Sequence, residues 1–150
     1  MLTWESDNPP LGDEIITAAE LILGVSLPDT YKDLAKKFPG GYPDLADFAV
    51  KRGERTWGSC VGALLSLDPR HSGNVYQHLR GQGSKHGLPE RVIPIADDGG
   101  GDLLCLDYRA GGSNPRVVYW AHDLGHEEGI VDMAESFDAF LDLLERQDDV

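Results

Sequence analysis

The sequence predicts an α+β fold in which an antiparallel-dominated sheet carries helices from both ends of the chain. Three observations lead there. Apolar residues recur at helical spacing near residue 13, near residue 28 and again toward the C-terminus. Between these stretches lie short apolar runs of period two, separated by turns rich in Gly and Pro. Helices first, strands in the middle and a helix last give segregated rather than alternating elements. The 150 residues fit one domain, 1–150, with a core at about 13–146.

Each element has a local reason. Residues 1–12 form a lead-in, broken by Pro9 and Pro10. Asp13 is expected to cap a helix over 13–23, with Ile15, Ala18, Ala19, Ile22 and Leu23 as its apolar stripe and Gly24 as its stop. A second helix over 28–38 starts at Pro28 and buries Tyr31, Leu34, Ala35 and Phe38; Pro39, Gly40 and Gly41 end it. The short link makes the two helices antiparallel neighbours. Strands are expected at 47–52 and 61–67, a short helix at 74–80 and an exposed loop at 81–89.

The clearest pattern is an antiparallel hairpin, 92–96 and 103–108, around a turn of Asp and Gly only. Leu104, Leu106 and Tyr108 share one face, and Leu103, Cys105 and Asp107 the other. A third strand at 116–121 puts Val118 and Trp120 on one side and Val117 and Tyr119 on the other. Apolar residues on both faces mark a strand covered from both sides. A last helix at about 134–146, capped by Ser136 or Asp132, buries Phe137, Phe140, Leu141 and Leu144.

Composition narrows the function. Net charge is −13, and residues 94–150 hold 14 acidic side chains against Arg109, Arg116 and Arg146. Such a field repels nucleic acid and anionic membranes, so neither is an expected direct partner. It draws cationic partners and speeds their encounter. No apolar run approaches the length of a membrane span, and no secretory signal is expected. Cys60 and Cys105 read as buried free thiols of a cytoplasmic protein. Trp4 and Trp57 lie in weakly patterned segments, where one of them could anchor a partner.

Catalytic patterns are weak. His122, Asp123 and His126 are the one cluster that suggests a metal-dependent hydrolase, but Gly125 and Gly129 break the helix that an H-x-x-x-H pair needs. His122 otherwise reads as an ordinary surface residue. Ser59 and Ser66 lack a nucleophile elbow. Asp97 and Asp98 are adjacent on a turn, where neighbouring side chains point apart. The run Gly99 to Gly101 has acidic neighbours and no following helix, so it does not cradle phosphate. No cofactor and no resident metal are expected.

Five pieces in order carry a resemblance: 16–24 (ITAAELILG) followed by Leu27, Pro28, Tyr31 and Lys32; Phe38, Pro39, Gly40 and Gly41; the hairpin; Val117 to Trp120 with His122; and Ser136, Phe137, Phe140 and Leu141. Over about 13–145 the chain resembles the SUKH superfamily, the Smi/Knr-like proteins. Pro39 stands where that pattern usually has Asn, and 51–91 departs from it. The resemblance implies an α+β fold and a protein-binding role. Many bacterial members resemble immunity proteins that neutralise a toxin, often one acting on nucleic acid. Others resemble cytoplasmic regulators or scaffolds of cell-wall and signalling type. Long disordered flanks are not expected here, so the immunity type is preferred, as a non-enzyme. The expected partner-facing residues are Asp97, Asp98 and Asp102 at the hairpin turn and Asp123, Glu127 and Glu128 in the later loop. All are expected to be exposed, because bare carboxylates are costly to bury. The partner would be a cationic toxin domain.

Overall fold

The computed structural model describes residues 2–147. Its centre is a five-stranded antiparallel meander of β5 (Ala63–Leu64), β6 (Val92–Asp97), β7 (Leu103–Asp107), β8 (Arg116–Trp120) and β9 (Ile130–Ala134), in that order. The predicted alternation holds along β7 and β8. Leu104, Leu106, Tyr108, Val117 and Tyr119 enter the large core, whereas Leu103, Cys105, Val118 and Trp120 pack on the other face with Val92, Leu88 and Ile130. Both faces of the middle strands are covered, which is why their sequence is apolar throughout.

The large core is closed by α1 (Asp13–Leu23), α2 (Asp29–Lys37) and α5 (Phe137–Gln147). Lys36 meets Asp13 (2.5 Å) and Lys32 meets Glu20 (3.8 Å), a pairing order that makes α1 and α2 antiparallel neighbours, as predicted. Tyr31 of α2 stands edge-on to Phe137 of α5, with ring centroids 5.4 Å apart. Ser136 caps α5 by accepting the Ala139 N–H (3.0 Å), while Asp132 lies in β9. The last helix therefore begins at Phe137 rather than 134, because β9 occupies the residues before it.

Other expectations are corrected. Gly12, not Asp13, is the N-cap of α1, and no side chain caps that end. The helix also turns a different face inward: Ile16 and Ala19 are buried with Leu23 half-buried, leaving Ala18 and Ile22 outside. Two stripes overlap in this helix, and the i, i+3, i+7 set of Ile16, Ala19 and Leu23 is the one that meets the core. The strand expected at 61–67 shrinks to β5. The ladder keeps one more bond, from the Leu65 N–H to the Ile95 carbonyl (2.8 Å); the pair after that would set Ser66 against Pro94, which has no N–H to give, and β6 carries a bulge at Pro94–Ala96. A hairpin of β3 (Asp47–Arg52) and β4 (Arg55–Cys60) turns through Gly53 and Glu54, with Gly53 at φ 60°. A further two-residue pair, β1 (Trp4–Glu5) with β2 (Tyr42–Pro43), ties down the lead-in.

The loop expected at 81–89 is mostly helical. α3 (Val75–His78) is opened by a capping box between Asn74 and Gln77 and continues through a π-turn, Leu79–Gly83, into α4 (Ser84–His86). Gly81 and Gly83 read as breakers, yet a Cβ at Gly83 would lie 3.0 Å from the His78 carbonyl oxygen. There the glycine accommodates the wider turn instead of ending it.

Among the described residues, no helix is long and apolar enough to cross a membrane.

Candidate protein-binding edge

In an up-and-down meander, alternate connections emerge at the same end. The β6–β7 turn and the β8–β9 loop therefore share one edge, and all six sequence-predicted acidic residues come to it.

The turn is built by its own carboxylates. Asp97 Oδ1 accepts from the Gly99 N–H (3.2 Å), and Asp98 Oδ1 from the N–H groups of Gly100 (2.8 Å) and Asp102 (3.1 Å). These Asx-type contacts satisfy amides that a tight turn leaves unpaired. On the core side, Asp98 Oδ2 accepts from Ser59 Oγ (3.2 Å) and lies 3.1 Å from the Tyr119 hydroxyl, which also bonds Asp102 Oδ2. One phenolic proton thus lies between two carboxylates. Burial first, and then the Asp102 carboxylate, push the Tyr119 hydroxyl well above the ordinary tyrosine range, so it remains a donor. Trp57 of β4 stands edge-on to Tyr119 with ring centroids 6.1 Å apart, and the Arg55 guanidinium lies over the Trp57 ring, 5.8 Å from its centroid.

His122 fastens the turn to the β8–β9 loop. Its N–H donates to Asp102 Oδ1 (3.0 Å), its Nδ1 lies 2.6 Å from the same oxygen, and its Nε2 lies 3.2 Å from Asp123 Oδ1. Each ring nitrogen of His122 therefore faces a carboxylate. Gly101 sits against this ring at φ 102°, and a Cβ there would stand 2.8 Å from His122 Cε1. A side chain at 101 would therefore be strained and would displace the ring. The His86 ring stands edge-on to His122 at 5.5 Å. His126 adopts φ 48°, held by its N–H to the His86 carbonyl (2.9 Å) and by its own carbonyl accepting from Trp120 Nε1 (3.0 Å).

The expectation that all six acids are exposed is corrected. Asp123, Glu127 and Glu128 are exposed, but Asp97, Asp98 and Asp102 are half-buried. Hydrogen bonds from the turn amides, Ser59, Tyr119 and His122 offset the desolvation that the sequence reading took as prohibitive. His122 is likewise no ordinary surface residue, its side chain being only 19% exposed. Within ion-pair distance, no Lys or Arg among the described residues serves any of the six carboxylates; His122 alone pairs with two of them.

His122, Asp123 and His126 do not converge as ligands. Both ring nitrogens of His122 already face carboxylates, and the His126 ring lies against Gly87. Among the described residues, no three His, Cys, Asp or Glu side chains are grouped so as to hold a metal ion. Cys60 is half-buried rather than buried, and Cys105 is fully buried; burial pushes both thiols upward, away from the thiolate. Trp4 and Trp57 are both half-buried.

Sequence reasoning missed Ser59, Trp57 and Tyr119 as parts of this edge. The one available signal was Tyr119 itself: a tyrosine in an otherwise apolar strand requires a partner for its hydroxyl.

The chain is 26% identical over 145 residues to the SPbeta prophage-derived uncharacterized protein YokK of Bacillus subtilis (strain 168), covering 86% of this chain and 72% of that protein. A crystal structure of a protein from Pseudomonas syringae pv. tomato is similar at a TM-score of 0.44 and 19% identity, over 82% of this chain and 79% of that one. The model of the SMI1 / KNR4 family (SUKH-1) matches residues 10–143, nearly the whole described structure, and the chain belongs to that family.

Proposed function

We propose that this chain is a non-catalytic immunity protein that binds a cationic, nucleic-acid-acting toxin domain in the cytoplasm and neutralises it. The observation that carries the reading is the edge where six carboxylates gather, two of them paired with His122 and none with a Lys or Arg within ion-pair distance among the described residues. A toxin that acts on nucleic acid carries a positive surface to hold phosphates. An acidic edge can cover that surface and compete with the phosphates it was made for. Asp98 and Asp102 are held rigidly by the turn, so part of the negative field is preorganised before the partner arrives. Asp123, Glu127 and Glu128 stand outside and meet the partner first. Membership of the SMI1 / KNR4 family is consistent with such a role.

The test is co-expression. The coding sequence next to this one is cloned, and its C-terminal domain is expressed alone and together with this chain. The proposal expects a basic domain that stops growth, growth restored by this chain, and a complex that co-elutes on size exclusion. A harmless neighbour, or toxicity unaffected by this chain, would favour a cytoplasmic regulator or scaffold instead.

A further inference from the structure

A second surface combines an apolar groove with basic side chains that have no ion-pair partner among the described residues. Residues 71–91 hold Arg80, Lys85 and Arg91 against Glu90 alone, in a protein of net charge −13. The helical run through α3 and the π-turn brings the start of this stretch against α1. Between them lies a groove of about 290 Å³ lined by Ile22, Leu23, Tyr76, Leu79, Arg80 and Ile93. Ile22 is 65% exposed and its neighbour Leu21 78%, the two most exposed large apolar side chains among the described residues. No contact within the described fold accounts for apolar side chains left this open on a helix.

Arg80 is exposed and has no ion-pair partner among the described residues, and neither have Lys85 and Arg91 farther along the stretch. An apolar floor beside an unpaired arginine is the anatomy of an interface with a buried anchor and a charged rim. We propose that this groove docks a segment of a partner protein that places a leucine-like side chain between Ile22 and Leu79 and carboxylates against Arg80. The charge selects the occupant. A cationic partner, as proposed for the carboxylate edge, would be repelled here, so the two surfaces bind segments of opposite charge. The proposal does not rest on the toxin reading.

The probe is an amphipathic peptide with leucines at i, i+3, i+4 and i+7 and glutamates between them, titrated into the isotope-labelled full chain and followed by amide chemical shifts. Shifts should concentrate on Ile22, Leu23, Leu79, Arg80 and Ile93. Ile22→Asp should weaken binding about tenfold or more, since an apolar anchor loses its seat. Arg80→Glu should weaken it by about threefold to tenfold, and the same peptide with lysines for glutamates should bind less well than the glutamate form. Asp123→Asn and Glu128→Gln should leave this binding unchanged, which separates it from the carboxylate edge. Ile22 and Arg80 are exposed, so thermal unfolding of both variants should match the wild type. Absence of shifts at millimolar peptide, shifts located elsewhere, equal binding of the lysine peptide, or indifference to Ile22→Asp would each overturn the proposal. So would a wild-type dimer, seen by light scattering, that Ile22→Asp dissolves, because a second copy would then be the occupant.

Discussion

Two loops of this protein hold carboxylates out of water, and they do so in opposite ways. In the loop over 66–74, closed by a bridge between Ser66 and Asn74, Asp68 is fully buried. Its oxygens take both arms of the Arg70 guanidinium (2.7 and 3.0 Å) and the Arg70 N–H, and His71 approaches at 3.8 Å. The Arg70 guanidinium holds the Asp68 carboxyl down at about 2. At the β6–β7 turn, by contrast, Asp98 and Asp102 are satisfied by amides, Ser59, Tyr119 and His122, with no Lys or Arg among the described residues in ion-pair distance. The first loop cancels its charge where it stands. The second keeps its charge in place and leaves most of it uncancelled. That is the difference between a carboxylate used to build a loop and carboxylates available to a partner.

The largest expected effect lies in the first loop. Asp68→Asn should destabilise the protein by about 2 kcal/mol at neutral pH, because it breaks charge-assisted bonds to a buried acceptor. The pH dependence has a definite sign. The folded carboxyl lies below its ordinary value of 3.8, so its contribution is complete above that value and is lost as pH falls toward about 2. Urea unfolding at stepped pH should show the wild type and Asp68→Asn converging over that window. A constant gap would mean that the charge is not what Asp68 contributes.

A smaller effect is expected at the second loop. Tyr119→Phe removes the hydroxyl between Asp98 and Asp102 and should cost about 1–2 kcal/mol, since two half-buried carboxylates lose their shared donor. Tyr31 offers the control. It is as buried as Tyr119, but its hydroxyl has no hydrogen-bond partner among the described residues. Tyr31→Phe should therefore change stability by less than about 0.5 kcal/mol. Equal losses at Tyr31 and Tyr119 would show that the hydroxyl's bonds to Asp98 and Asp102 do not set the cost.

The fold was legible where one physical signal dominated. Leu103 to Leu106 and Val117 to Trp120 alternate between two buried faces, so their sheet and their facing were readable. Reading failed where two signals competed. Gly81 and Gly83 signal a break, but the Asn74–Gln77 capping box starts a helix that carries through them as a π-turn. In α1, Ile16 and Ile22 both belong to plausible stripes, and only the packing of α1 on the core chooses between them. At the candidate edge, the clustering of the acids follows from meander topology and was visible once the hairpin was recognised. The half-burial of Asp98 and Asp102 was not, because it depends on Ser59, Tyr119 and His122, which only tertiary structure brings near.

The central claim is that the uncancelled charge of this edge meets a cationic partner. Asp123, Glu127 and Glu128 test it most cleanly, because they are exposed and their amide replacements leave the turn network around Asp98 and Asp102 in place, Asn at 123 keeping an Oδ1 opposite His122 Nε2. The measurement is the association rate of the toxin domain with the wild type and with the Asp123→Asn, Glu127→Gln, Glu128→Gln variant, at low and at physiological salt. Rim charges of this kind act mainly on the rate of encounter. The account predicts an unchanged melting temperature, slower association at low salt and a flatter dependence on salt for the variant. The same association rate and the same salt slope for both proteins would contradict it, and would place the binding surface away from the carboxylate edge.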